Sequence, residues 1–273
     1  MKLALAQLEP RSRNLDFNVA TVCETLRSQT QSDLILFPEF FLGGYQLTDV
    51  DELAIDPEGP ELNAIREAAA EASCAAVIGA ALRRPSGVAD SAVCVDEAGE
   101  IASIYDKTHL FGEEADSFIA GRSLQPATLG DRRIGLMICF DVEFPEVPRT
   151  LARRGADVLV TISANMTPFE LDHDVFVPAR AIENGLPHLY VNRTGEESGI
   201  SFVGGSRAVD QEGNTVAILG RDPGILDVEM DLTPGRRDPR TRYAQYLRAE
   251  LYSEDADSRS NETEPTQTTG SAR

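Results

Sequence analysis

The stretch I-G-L-M-I-C-F-D-V-E-F-P-E-V-P-R-T-L-A-R-R-G-A-D-V-L-V-T-I (134–162) reads as strand, turn, helix and strand in succession. Residues 134–138 form an apolar run of strand length, 144–154 carry helical spacing, and 157–162 are rich in Val and Ile. The same alternation continues on both sides. Toward the N-terminus, Lys2, Ala4 and Ala6 alternate with Leu3, Leu5 and Leu8, as a first strand would. A helix over 15–29 precedes a strand at 34–37, and a helix over 61–72 precedes a strand at 75–81. Strands at 91–95 and 100–104 flank E-A-G, a hairpin signal. Toward the C-terminus, a helix over 174–184 closes at Gly185. Strands follow near 188–191, 205–209 and 215–219, the last two joined by D-Q-E-G-N. Hairpins mixed with helix-linked strands predict an α/β protein with two packed sheets and helices outside.

The chain has 273 residues, 42% of them apolar, enough to bury a large core as one domain, taken as 1–252. From Ser253 onward the apolar pattern stops, and 253–273 reads as a disordered acidic tail. No apolar stretch approaches a membrane span, and M-K-L-A-L-A-Q-L-E-P is too short for a signal peptide, so no membrane association is expected. Cys23, Cys74, Cys94 and Cys139 show no C-x-x-C spacing and no paired histidines accompany them. That points away from zinc and disulfides and toward a reduced, cytoplasmic setting. The net charge of −20, from 45 acidic and 25 basic residues, argues against nucleic acid or anionic membranes as partners. Only Lys2 and Lys107 are lysines. An acid excess with so little lysine predicts a protein of a salty cytoplasm, the competing explanation being a GC-rich genome and the acidic tail.

Three residues stand where apolar runs end. Glu39 lies in F-P-E-F-F-L-G-G-Y (37–45), Lys107 in Y-D-K-T-H-L-F-G (105–112), and Cys139 in the opening stretch. Carboxyl ends of strands in an α/β protein can converge on one crevice. A thiol, a carboxylate and an ammonium supply a nucleophile, a proton acceptor and an oxyanion stabiliser, which is a set for acyl transfer. Each has a plainer reading alone. A Cys after an apolar strand is more often a small buried hydrophobe, which suits Cys23, Cys74 and Cys94, and most Glu and Lys are solvated. Cys139 differs because a turn into a helix follows it, so the thiol projects into a crevice and a helix start favours its thiolate. Glu39 is followed by Phe40, Phe41 and Leu42, a poor setting for a solvated charge.

These residues and their flanks closely resemble the nitrilase superfamily of carbon–nitrogen hydrolases. The likeness includes P-E-x-F-x-x-G-Y at Glu39, Y-x-K-x-H-L-F at Lys107, C-x-D-x-E-F-P-E at Cys139, and R-A-I-E-N (180–184) and G-G-S (204–206). It spans roughly residues 1–230. The resemblance implies a four-layer α-β-β-α sandwich, a homodimer paired through helices starting near Phe144 and Asp174, and no metal or organic cofactor. It implies hydrolysis of a small carboxamide, with a nitrile or an N-carbamoyl amine as alternatives. Glu39 would be the general base and Cys139 the nucleophile, forming a thioester. Lys107 and the backbone N–H of Phe140 would hold the oxyanion. A second glutamate would position substrate, with Glu114 fitting the spacing to F-I-A-G (118–121) best and Glu113 next. C-F-D-V-E-F-P-E and A-N-M-T-P-F resemble the branch that includes 5-aminopentanamidase. A non-catalytic scaffold with the same fold would have no physical reason to keep all three residues.

Four further positions carry competing readings. Asn165 is either part of a substrate-binding loop or a turn residue. Glu143 either faces substrate or satisfies a helix start. Arg180 and Glu183, at i and i+3, read as a structural ion pair. Asp141, which would orient the turn, and His109 read as structural. Glu143 and Glu113 or Glu114, with the overall negative field, favour a neutral or cationic substrate such as an ω-amino amide.

Overall fold

Along β1 (Lys2–Gln7), Leu3 and Leu5 point to one face and Ala4 and Ala6 to the other, yet all four are buried. The strand is therefore covered on both sides. The structure, a computed structural model, describes residues 1–232, 240, 243–248 and 251. The expected tail at 253–273 lies outside the described residues.

β2 (Leu34–Leu36) and β3 (Ala75–Arg84) run parallel to β1 and are reached through α1 (Leu15–Ser28), the short α2 (Val50–Leu53) and α3 (Pro60–Ala72). β4 (Gly87–Val95) and β5 (Ile101–Asp106) add antiparallel neighbours, and β14 (Gly224–Glu229) pairs with β1. The first sheet has the order β14-β1-β2-β3-β4-β5. The second is built from β6 (Ala127–Leu129), β7 (Arg132–Ile138), β8 (Val158–Ser163), β9 (His188–Asn192), β12 (Arg207–Val209) and β13 (Thr215–Ile218). Its order is β13-β12-β9-β8-β7-β6, with β7, β8 and β9 parallel through α5 (Glu146–Arg153) and α6 (Glu170–Asn184). β10 (Thr194–Glu197) and β11 (Ile200–Val203) form a separate hairpin, and the one-turn α4 (Glu114–Ser117) follows β5.

Leu3, Leu5, Leu34 and Leu36 of the first sheet pack against Leu136, Ile138, Val160 and Ile162 of the second. The opposite faces meet helices. Ala4, Ile35 and Ile78 lie under Val22, Leu26 and Ile65, and Met137 and Leu159 lie under Leu151, Val177 and Ala181. The layers run helix, sheet, sheet, helix, which is the expected sandwich.

Element boundaries moved for identifiable reasons. The helix expected at 144–154 starts at Glu146, because residues Cys139–Glu143 make a 3₁₀ turn and Pro145 sets the helix entry. α6 begins at Glu170, earlier than expected, with Glu170 and Asp172 in its first turn complementing the dipole. Gly185 closes it at φ 66°. β3 and β4 extend past the expected 75–81 and 91–95, pairing down to Arg84 and Gly87 around a tight turn. β6, β10, β11 and β14 were not foreseen.

Candidate active site

β5 runs in the same direction as β2 and β3 across the antiparallel β4, so the carboxyl ends of β2, β5 and β7 share one edge of the stacked sheets. Glu39 lies just past β2, Lys107 directly past β5, and Cys139 directly past β7. Two sheets thus contribute to one crevice. Gly79 of β3 allows the Glu39 backbone to approach, since a Cβ there would lie 2.2 Å from the Pro38 carbonyl oxygen and 2.6 Å from Glu39 Cα. Phe40 then takes φ 51°, which reverses the chain behind Glu39.

Lys107 is fully buried and surrounded by carboxyl groups. Its Nζ lies 2.6 Å from Glu39 Oε1, 2.7 and 3.0 Å from the two oxygens of Glu114, and 3.5 Å from Asp90. Glu39 Oε2 accepts the backbone N–H of Ala164 at 2.7 Å, from the loop after β8 in the other sheet. Glu114, first residue of α4, also accepts from Tyr45 Oη at 3.0 Å and from the Phe111 N–H at 2.8 Å. Burial alone would lower the Lys107 pKa, but the charges of Glu39 and Glu114 outweigh it and hold the ammonium well above the ordinary lysine range. Burial pushes Glu114 up, Lys107 opposes this, and Glu39 adds to the rise. Glu113 is exposed, so the structure brings Glu114 and not Glu113 to Lys107.

Cys139 sits at φ 42°, a conformation that non-glycine residues adopt only when their surroundings impose it. Asp141 imposes it. Its carboxylate accepts the Ile138 N–H at 3.1 Å, Tyr105 Oη at 2.6 Å, Thr108 Oγ1 at 2.7 Å and the His109 N–H at 3.0 Å. Tyr105, Thr108 and His109 flank Lys107, so one buried carboxylate fastens the thiol's turn to the ammonium's loop. His109 stacks on Phe144 with centroids 3.9 Å apart and belongs to that fastening. Arg180 donates to the carbonyls of Val142 and Glu143, each at 2.8 Å, while Glu183 lies 3.4 Å away. The expected i, i+3 ion pair is present, and the same guanidinium also holds the turn's carbonyls.

The thiol does not favour its anion. Burial pushes the Cys139 pKa well up and Glu39 adds to the rise, while Lys107 and a hydrogen bond with Ser163 pull against them without reversing it. The expectation of a stabilised thiolate fails because a five-residue 3₁₀ turn offers little dipole against desolvation and nearby carboxylates. At rest Cys139 is a neutral thiol whose pKa responds to the charges of Glu39, Lys107 and Glu114.

Beside Cys139 is a narrow cavity of about 20 Å³, lined by Phe111, Phe140, Met166 and Phe169 together with Glu143 and His173. Glu143 keeps about a quarter of its side chain exposed (24%) and lies 3.5 Å from His173 Nε2. Asn165 also lines the cavity, but its Oδ1 accepts the Met166 N–H at 2.9 Å and its Nδ2 donates to Phe169 O at 3.2 Å. Its amide shapes the loop, which favours the turn reading. A larger cavity of about 350 Å³ lies at the opposite ends of the strands, near Met1, Asp33 and Arg132, and touches none of these groups. Among the described residues no cluster of three or more His, Cys, Asp or Glu is placed to hold a metal, and no helix is long and apolar enough to cross a membrane.

Residues 2–239 match the Carbon-nitrogen hydrolase family. The chain belongs to the carbon–nitrogen hydrolase family. This hydrolase is 36% identical over 238 residues to an (R)-stereoselective amidase of Pseudomonas sp., covering 85% of each chain. It is 32% identical over 210 residues to the 2-oxoglutaramate amidase of Bacillus subtilis, covering 76% of this chain and 81% of that one. It matches a variant of the amidase from Nesterenkonia sp. AN1, with the acetamide moiety of fluoroacetamide added at the active site cysteine. That match has a TM-score of 0.81 and 30% identity over 92% of this chain and 95% of that one. The hydrolase acts on amide-type carbon–nitrogen bonds.

Sequence reading of the hydrolase passed over Asp90, Tyr45, Ser163 and the Ala164 N–H. Asp90 left a trace, an acid in the middle of the otherwise apolar strand V-A-D-S-A-V. Ala164 contributes only backbone and leaves none. Phe111 and Phe169 lie in loops whose contact across the sheets no local pattern encodes.

Proposed function

We propose that the hydrolase converts a small primary carboxamide to its acid and ammonia through a thioester on Cys139. The observation that carries this reading is the strained Cys139 turn set against the buried Glu39–Lys107–Glu114 cluster. Because the thiol rests neutral, Glu39 takes its proton as sulfur attacks the amide carbon. Lys107 redirects one of its three N–H bonds to the developing oxyanion, joined by the Phe140 N–H at the start of the 3₁₀ turn. Glu39 returns the proton to the departing nitrogen, ammonia leaves, and a water activated by Glu39 cleaves the thioester to the acid. Glu114 keeps Lys107 in place; with both oxygens on that ammonium, it is not a partner for a charged substrate.

Glu143 fits that part better. The apolar side chains around Cys139 favour a short alkyl chain once they part to admit it, and the partly exposed Glu143 at their edge suits a terminal ammonium, as in a short ω-amino amide. An ammonia-release screen at molar salt should cover aliphatic amides, ω-amino amides, ω-amidodicarboxylates, N-carbamoyl amines and nitriles. Amides should exceed nitriles by at least about a hundredfold, with ω-amino amides leading. Leading plain aliphatic amides would remove Glu143 from recognition, leading diacids would sink the electrostatic argument, and leading nitriles would overturn the amidase reading.

The charge of −20 supports a saline cytoplasm as the working environment, because self-repulsion is screened by salt. The melting temperature should rise substantially between low salt and molar KCl, and a flat response would favour genome composition instead. Leu171 and Val175, exposed on α6, support pairing with a second copy through this helix, which sedimentation of the same samples would test.

A further inference from the structure

Asp90 is a buried acid without a satisfied charge. It projects from β4, is 0% exposed, and neither carboxyl oxygen has a hydrogen-bond partner of standard geometry. Its neighbours show how unusual that is. Ser91, on the opposite face of the strand, bonds Asp106, which also pairs with Arg84 at 2.6 Å. Among the described residues the cation facing Asp90 is Lys107, and its three ammonium protons meet three short contacts to Glu39 and Glu114, leaving Asp90 at 3.5 Å. From the remaining sides Asp90 meets Ala81 of β3, its register partner, and it shares the Lys107 ammonium with the carboxylates of Glu39 and Glu114.

An ionised Asp90 would be a third buried negative charge with no donor. A neutral Asp90 has one donor of its own, and Glu39, whose oxygens take one bond each from Lys107 and Ala164, has acceptor capacity left. We propose that Asp90 is a positioning residue for the hydrolase: it remains a neutral carboxylic acid and donates its proton to Glu39, holding that carboxylate in line and leaving Lys107 opposite two negative charges. Burial and then the charge of Glu39 push Asp90 well above the usual carboxylate range, Lys107 opposing, which agrees with the geometry. The proton is held, not transferred, so Asp90 is neither base nor nucleophile.

Two measurements test this, and they fail separately. The unfolding equilibrium of wild type and of Asp90→Asn is followed between about pH 5 and pH 8. The unfolded acid titrates near about 3.9, so above that value the folded wild type holds one proton more than the unfolded chain. Wild type should lose stability relative to Asp90→Asn as pH rises, by about tenfold in the folding constant per pH unit until the folded Asp90 itself ionises. A gap that does not change with pH overturns the proposal, whatever the reaction. The second arm rests on the thioester reading. Asp90→Val should lower kcat by about 30-fold, and Asp90→Asn, which still donates to Glu39, should recover at least about tenfold of that loss. An Asn variant no better than Val would overturn the positioning role. Should Asp90→Val not fold, the pH arm decides alone.

Discussion

Replacing Cys139 with alanine should lower amide turnover by at least about 10⁴-fold while leaving the unfolding transition near that of wild type. No other thiol can take over. Cys23, Cys74 and Cys94 are buried within the packed cores, and burial pushes Cys74 up to about 11 and Cys94 up to about 12. Cys139 alone of the four is partly exposed, so iodoacetamide at neutral pH should label it first. Cys139→Ala retaining activity within about tenfold of wild type would sink the thioester mechanism.

Lys107→Gln should lose activity and stability together. Removing the ammonium takes away one oxyanion donor, worth about 10²–10³ in kcat. It also strands Glu39 and Glu114 as buried carboxylates, and breaking such a buried ion set costs about 3–5 kcal/mol. The complete burial of Lys107 is what couples the two losses. The pH dependence has a definite sign. Because the folded pKa of Lys107 is raised, its stabilisation is fully present below the unfolded lysine value of about 10.4 and is lost only above it. The ammonium's own share of the stability should thus stay constant through neutral pH. Near-normal melting with near-normal kcat would remove Lys107 from the site.

Much of this was legible because the chemistry sits where apolar runs stop. Glu39, Lys107 and Cys139 each follow a strand whose pattern is local, and parallel strands bring such ends together without further information. The layer order was legible for the same reason, since Leu3, Leu5, Leu34 and Leu36 alternate with residues that face helices. What stayed hidden depends on contacts between distant segments. The Cys139 pKa is set by burial and by Glu39, neither of which its neighbours in sequence reveal. Asn165 could be read as binder or turn residue until its bonds to Met166 and Phe169 were visible. Arg180 suggested an ion pair at helical spacing, but not its bonds to carbonyls in a turn about forty residues earlier. The short edge strands β6 and β14 owe their form to the longer strands they pair with, which their own composition does not announce.

The two oxygens of Glu39 are held by different halves of the molecule, one by Lys107 and the other by the Ala164 amide across the sandwich. Heat inactivation of this hydrolase should therefore track separation of the two sheets rather than fraying of a loop. A chain still leaving the ribosome, with residue 164 not yet emerged, already carries its thiol but has no way to fire it. On the proposed mechanism, the nucleophile would be armed only once both sheets are in place.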